Sequence, residues 1–251
     1  MKLALLSDIH ANLQALDACL AHAHGQGAQQ LALLGDFVGY GADPAAVVQR
    51  VMGLVTQGAV VVKGNHDDMA VRPPTGVQTL GDSTAQWTHE QLNPTQRNFL
   101  DALPMTQRLG PVFLVHASAD APALWRYVYD PNIAALSLDA ATTTHPDIRY
   151  VFGGHVHMQS LYYRGADGGL QKFEPVAGVA VPVPAHRHWL ATIGSVGQPR
   201  DGNTKAMYAL LDTDRALLTF HRVAYDFHAA ALAVRRSGLP AFFADRLELG
   251  R

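Results

Sequence analysis

Cysteine is almost missing from the 251 residues, with Cys19 standing alone. No disulfide can close within the chain and no zinc-thiolate cluster can form, which fits a reducing compartment. Long apolar runs are missing too. The opening stretch Leu3 to Leu6 is broken by Ser7 and Asp8, far short of a signal-peptide core or the roughly 20 apolar residues of a membrane span. A cytoplasmic location with no membrane partner is the expectation. Neither sign of charge dominates, because 19 Lys+Arg against 21 Asp+Glu leave a formal charge of -2. No whole-molecule field recruits nucleic acid or an anionic surface, so an anionic substrate has to be attracted locally. Charged residues are scarce at 16% against 48% hydrophobic, a balance that excludes disorder and suits a folded chain.

Histidine is what the chain has in quantity: 13 residues whose neutral ring nitrogens bind metals at physiological pH. Around them, short apolar runs alternate with helical patterns in the first half. Lys2 to Leu6 is followed by a helix with Leu13, Leu16 and Leu20 on one face. Leu31 to Leu34 is followed by a helix from Asp43 and Pro44 to about Gln57, and then by Ala59 to Val62. Apolar runs without polar alternation suit parallel strands covered on both faces. Residues 83 to 103 read as helices bounded by Pro94 and Pro104, Val112 to Val115 as a strand, and Asp130 with Pro131 as another helix start.

After Arg149 strands dominate: Arg149 to Phe152, Leu161 to Tyr163, Leu170 to Phe173, Trp189 to Ile193, Met207 to Leu211 and Leu217 to Val223. Turns at Gly165 to Gly169 and Asp212 to Arg215 predict a second, largely antiparallel sheet. Pro182 to His188 reads as a loop, and Asp226 starts a last helix ended by Gly238 and Pro240. The chain therefore predicts an α/β fold, a four-layer α/β/β/α sandwich of two mixed β-sheets flanked by helices. It forms a single domain over residues 1–251, with a helical tail at about 226–251.

Metal-ligand residue types recur where the strands end. Asp8 and His10 follow the first, Asp36 the second, Asn65 and His66 the third, His116 the strand at Val112, and His155 with His157 the strand at Arg149. Loops at the carboxyl ends of α/β strands converge on ligands. An Asp-x-His pair alone is an ordinary event, and a lone histidine near a strand end is usually structural. Five such loops in strand order leave the buried charges without another job. Residues i and i+2 of an extended segment also point to one side, as in Asp8/His10 and His155/His157. Gly35, Gly64, Gly153 and Gly154 beside them let the backbone turn or approach closely.

Asp8-Ile9-His10, Gly35-Asp36, Gly64-Asn65-His66-Asp67, His116 and Gly154-His155-Val156-His157 resemble the calcineurin-like metallophosphoesterases. The loop from Gly194 to Gly202, with Ser195, Gln198 and Arg200, resembles the small bacterial branch grouped with diadenosine tetraphosphate hydrolases. The resemblance implies one ion on Asp8, His10, Asp36 and His157, a second on Asp36, Asn65, His116 and His155, and a bridging role for Asp36. Two divalent ions are the implied cofactors, and mixed nitrogen and oxygen ligands suit manganese, iron, cobalt, nickel or zinc alike. It further implies that a metal-bridging hydroxide attacks phosphorus directly and inverts it. His66 would protonate the leaving oxygen, with Asp67 orienting its ring.

The implied activity is that of a phosphoesterase on a small phosphate ester, a phosphodiester or dinucleoside polyphosphate first, from a monomer or homodimer that binds no nucleic acid stably. Protein phosphatase and phosphomonoesterase activity use the same site, and the retromer scaffold subunit shows that this fold also serves interaction without catalysis. Arg200 is a candidate phosphate contact, since guanidinium binds phosphate bidentately, and Tyr40 either stacks on a base or packs over the rim. His22, His24, His89, His145, His186, His188, His221 and His228 read as solvated or locally hydrogen-bonded. Ala11, where many relatives have glycine, predicts ordinary backbone angles after His10.

Overall fold

Alternation along β1 (Lys2–Leu6) sets up the layering. Leu3 and Leu5 enter one core and Ala4 and Leu6 another, because successive strand side chains point to opposite faces. All four are fully buried, which is why the run shows no polar alternation. The computed structural model describes residues 1–165 and 168–251. It has two mixed six-stranded sheets flanked by helices.

In the first sheet β1 pairs in parallel with β2 (Gln30–Leu33), and β2 with β3 (Val60–Val61). On its other edge β1 pairs antiparallel with β11 (Ala206–Asp212), which continues to β12 (Leu217–Val223) and β9 (Ala180–Pro182). The second sheet runs β4 (Thr106–Leu109), β5 (Val112–Val115), β6 (Tyr150–Gly153), β10 (Trp189–Ile193), β7 (Gln159–Arg164) and β8 (Leu170–Phe173). The core between the sheets joins Leu3, Leu5 and Phe220 to Leu114, Phe152 and Ile193. Each fully buried side chain of this size contributes about 1.5–3 kcal/mol relative to exposure.

Helix starts follow local chemistry. Asn12 accepts from Ala15 N at the head of α1 (Leu13–Gly25), whose buried stripe is Ala15, Leu16, Cys19, Leu20 and Ala23. At α2 (Pro44–Thr56) Asp43 takes the cap position without a side-chain bond, and Pro44 supplies the first turn. Short helices α3 (Asn65–Val71), α4 (Asp82–Gln91) and α5 (Pro94–Asp101) follow, the last held by reciprocal bonds between Asn93 and Gln96. Asp130 caps α6 (Pro131–Thr144), which packs Ala134, Leu138 and Ala141 on the outer face of the second sheet. Asp226 caps α7 (Phe227–Arg236).

Four features depart from expectation. Strands after residue 149 do not form a separate sheet, since β11 and β12 extend the first one. The free edge of β1 takes β11 in the register Leu3 to Leu211, a pairing across two hundred residues that local pattern cannot reveal. Strands β4 and β9 were not foreseen. Both are edge strands, one polar and the other ending in Pro182, and edges tolerate proline. A further helix, α8 (Ala241–Leu249), follows α7 and packs on it through Phe243, Ala244 and Leu247. The turn expected at Gly165 to Gly169 has its middle, residues 166 and 167, outside the described residues. No helix among the described residues is long and apolar enough to cross a membrane.

Candidate metal centre

The carboxyl ends of β1, β2, β5 and β6, together with the start of α3, meet at one rim. Asp8, His10 and His157 present ligand atoms within 4.8 Å of one another, as do Asp36, His116 and His155, and again His10, Asp36 and His66. Asp36 Oδ2 lies 3.2 Å from His116 Nε2 and 3.8 Å from His10 Nε2. Asp8 Oδ1 lies 3.2 Å from His157 Nε2, and Asn65 Oδ1 3.2 Å from His116 Nε2. All seven residues meet as their strand-end positions suggest, with Asp36 between the two halves.

Three histidines are anchored at their backs. Nδ1 of His10 bonds Val38 O at 3.1 Å, Nδ1 of His116 bonds Leu34 O at 2.6 Å, and Nδ1 of His157 bonds Gln198 O at 2.6 Å. Only a ring carrying its proton on Nδ1 can donate to a carbonyl, so each turns an Nε2 toward the centre. The Nε2 atoms of His10 and His157 face each other at 3.0 Å, close enough to share one cation between their lone pairs. Nε2 of His155 is buried with no hydrogen-bond partner. The donor set thus fits divalent metal ions: two buried carboxylates, imidazole nitrogens with fixed tautomers, and an orphaned nitrogen aimed inward.

Burial pushes His10 well below its ordinary pKa and His155 down to about 3, the neutral forms that bind metal. For Asp8 and Asp36 burial works upward, yet neighbouring histidines, chiefly His157 and His116 respectively, hold both carboxyls below the usual range. His116 moves the other way. Burial opposes its charge, but the Asp36 carboxylate against Nε2 draws it up to about 10. The cluster by itself recruits a proton where a cation belongs.

Backbone strain is concentrated here. Asp8, His10, Asp36, His155 and His157 all have φ between +49° and +66°, a region that costs L-residues roughly 1–2 kcal/mol each. Only Gly35 among the four flanking glycines has positive φ. Gly64 and Gly154 serve close approach instead, since a Cβ would collide with Asp36 at the first and with Ser7 and Asp8 at the second. Ala11 also departs from expectation, with φ +50°. Its N–H donates to Phe37 O and its carbonyl accepts from Asp43 N, and these bonds hold the left-handed turn that alanine alone disfavours.

The expected orientation of the His66 ring by Asp67 is not what the structure contains. The Asp67 oxygens accept from Asp36 N, Phe37 N and Gly64 N, each at 2.9 Å. Asp67 therefore braces the loops that carry Asp36 and Asn65, while burial and the Asp36 charge push its pKa up to about 7. The His66 ring makes no hydrogen bond among the described residues. It packs against Tyr40, ring centroids 4.4 Å apart, and edge-on to His10. Tyr40 is 9% exposed and sits between these rings and Phe243, so it packs over the rim.

Asn12, Tyr127 and Arg246 were not singled out from the sequence, and Ser195 and Gln198 had no role assigned there. Ser195 Oγ donates to Asp8 O, Gln198 O receives His157, and Asn12 Nδ2 donates to Gly197 O, so the loop after β10 holds the site from behind. Tyr127 stacks on His155 at 4.0 Å. Arg200 is half-buried with its guanidinium on Gln198 Oε1, in a cleft of about 440 Å³ that also includes His66 and Arg246. The alternating aromatics Tyr127 and Tyr129 before the Asp130 cap were a usable signal; Arg246 had none. Of the remaining histidines, His186 is exposed, His89 bonds Ala70 O, and His221 is buried beside Tyr208 rather than solvated.

Known proteins place this arrangement. The sequence profile of the calcineurin-like phosphoesterase superfamily domain matches residues 1–216. The crystal structure of a metallophosphoesterase from Sphaerobacter thermophilus is similar over 100% of both chains, at 32% identity and a TM-score of 0.87. A hypothetical protein from Pyrococcus horikoshii OT3 shares the fold at 19% identity and a TM-score of 0.77, over 100% of this chain and 98% of that one. An uncharacterized protein of Methanocaldococcus jannaschii is 30% identical over 259 residues, 99% of this chain and 98% of its own. With buried carboxylates and histidines converging where such enzymes hold metal, the chain belongs to the calcineurin-like phosphoesterase superfamily, as a hydrolase acting on phosphoric ester bonds.

Proposed function

We propose that the chain hydrolyses a phosphodiester or a dinucleoside polyphosphate with two divalent ions. Asp8, His10, Asp36 and His157 would hold one, and Asp36, Asn65, His116 and His155 the other. The observation that carries this reading is the convergence of buried Asp8, His10, Asp36, His116, His155 and His157 in groups whose ligand atoms lie within 4.8 Å of one another, with Nε2 of His155 buried and without a hydrogen-bond partner. When bound, such ions supply Lewis acidity, charge for the phosphate oxygens, and a water made acidic near neutral pH. Asp36 is suited to serve both halves because its Oδ2 faces His116 at 3.2 Å and His10 at 3.8 Å, while Oδ1 is held by His66 N at 2.8 Å. Asn65 and His155 stand at the cleft, where a phosphate enters, and His66 has a ring nitrogen with no other bond to make. It is the group positioned to hand a proton to the departing oxygen.

The test is metal content together with hydrolysis of bis(4-nitrophenyl) phosphate after loading with manganese, iron, cobalt, nickel or zinc in turn. Two ions per chain and turnover are expected; a chain that takes up none, or hydrolyses only phosphoproteins, would sink the reading. A reducing cytoplasm and a single domain that includes the tail belong to the same reading, supported by the buried lone Cys19 and by Phe243 stacked on Tyr40.

Metal loading should release protons. His116 carries a proton up to about pH 10 in the metal-free protein, and its Nε2 cannot bind a cation until that proton leaves. Between the ordinary histidine range and pH 10, affinity should rise about tenfold per pH unit for this one proton. Calorimetry at pH 8 in buffers of different ionisation enthalpy should read about one proton released per chain, and His116→Asn should abolish it.

Gly39 offers a way to disturb His66 without touching a ligand. Its φ is +87°, and a Cβ there would sit 2.5 Å from His66 Nδ1. Gly39→Ala is expected to displace the ring and cost roughly 10²-fold in turnover, with metal per chain unchanged by mass spectrometry.

A further inference from the structure

Arg222 pairs with Asp201, and Arg235 with Asp245 and Glu248. Arg200 and Arg246 are different: among the described residues no carboxylate lies within 4.0 Å of either. Both reach the same neutral acceptor instead. Gln198 Oε1 receives Arg200 Nε at 3.2 Å and Nη2 at 2.9 Å, and Arg246 Nη1 at 3.2 Å. Two half-buried cations on one amide oxygen repel each other. Burial and the charge of Arg200 both pull the Arg246 pKa down from its ordinary value.

Their placement is fixed from two sides. Gln198 also holds His157 through its carbonyl, so the arginine pair stands one residue away from the candidate metal centre. Arg246 comes from α8, beyond residues 1–216, and that helix is anchored by Phe243 stacked on Tyr40 and by Arg235 bonded to Asp245 and Glu248. Arg200 lies over the Tyr40 ring at 5.7 Å and Arg246 over the Phe242 ring at 4.8 Å. Both guanidinium groups line the same cleft as Asn65, His66, His155 and Tyr127.

A guanidinium fork matches phosphate oxygens in pairs, and it keeps its charge when half-buried. Two unneutralised forks in the cleft that also contains Asn65, His66 and His155 offer more phosphate-binding capacity than one phosphorus needs, and a second phosphate next to the first matches it. We infer that Arg200 and Arg246 form a subsite for a phosphate adjoining the scissile one, so that the preferred substrate carries two or more phosphates in a chain. This rests on the phosphoesterase reading above, with the tail helix supplying half of the specificity.

Two chromogenic esters with the same leaving group separate the terms: bis(4-nitrophenyl) phosphate, with one phosphorus, and the γ-(4-nitrophenyl) ester of ATP, with an adjoining phosphate. Arg246→Ala should lower kcat/KM for the ATP ester roughly 10- to 100-fold and for the simple diester less than about threefold, and Arg200→Ala should lower it for the ATP ester by a similar factor. Arg246→Lys, which keeps charge but loses the fork, should recover part of the loss. Calorimetric titration of metal-stripped protein with inorganic pyrophosphate reads the pair without catalysis, and Arg246→Ala should weaken it at least about tenfold. Equal losses on both esters, or wild-type pyrophosphate affinity, in Arg246→Ala would overturn the subsite. Failure of the loaded wild type to hydrolyse either ester would overturn the catalytic reading alone, and the pyrophosphate titration would still decide the subsite.

Discussion

Asp36→Asn is expected to leave a folded chain that no longer retains metal, with hydrolysis of bis(4-nitrophenyl) phosphate falling by more than about 100-fold. Loss of a merely supporting contact typically costs 10- to 100-fold in metal affinity, and Asp36 is more than that. Its Oδ2 faces His116 in one half of the site and His10 in the other. Asparagine keeps the shape and one carbonyl oxygen, so His66 N, now 2.8 Å from Asp36 Oδ1, retains an acceptor. What disappears is a buried negative charge among His10, His66 and His116. In the metal-free protein this should also bring His116 down from about 10, because the Asp36 carboxylate is what raises it. Metal content by mass spectrometry and the melting temperature with and without manganese measure both effects, since a ligand bound only by the folded state raises that temperature. An Asp36→Asn chain with the wild-type metal content and full turnover would remove Asp36 from the centre.

His66→Ala should cost about 10²- to 10⁴-fold in turnover, the range of a lost general acid, while metal content holds. The two halves of that statement come from different atoms. The backbone N–H of His66 secures Asp36 and survives the substitution; the ring, without a hydrogen bond of its own, faces the cleft. Burial pushes the ring's pKa down, with the Asp36 charge opposing, so it rests neutral and has to gain its proton as anionic substrate arrives. Leaving groups distinguish the roles. An alkoxide needs a proton far more than a nitrophenolate does, so the loss should be larger for an alkyl ester. Equal losses would deny His66 the proton transfer. Loss of bound metal would make it a ligand, which its distance to His10 and Asp36 permits.

Much of this was legible residue by residue. The strand-end rule assembled Asp8, His10, Asp36, Asn65, His116, His155 and His157, whereas the i, i+2 argument for Asp8/His10 and His155/His157 presumed extended backbone, and the structure holds all four in left-handed turns. Helix starts at Asp130 and Asp226 are decided by the nearest three residues. Asp67 was misread for an equally local reason. Proximity in sequence to His66 suggested a partner, whereas the folded loops offered its carboxylate three backbone N–H groups. Ala11 shows the same limit, as intrinsic preference opposed a turn that tertiary hydrogen bonds impose.

Residue types, strand ends and the family likeness were settled by the amino-acid order, since metal-ligand chemistry and period-two burial are written into short stretches of chain. Which sheet takes β11, how Asp36 comes to lie between two clusters, and why Arg246 shares an oxygen with Arg200 were decided only by the folded chain. Those contacts join segments separated by tens to hundreds of residues, and nothing at either end encodes its partner. They exist because two sheets, once packed through Leu5, Leu114 and Phe152, leave their loops no other rim on which to meet.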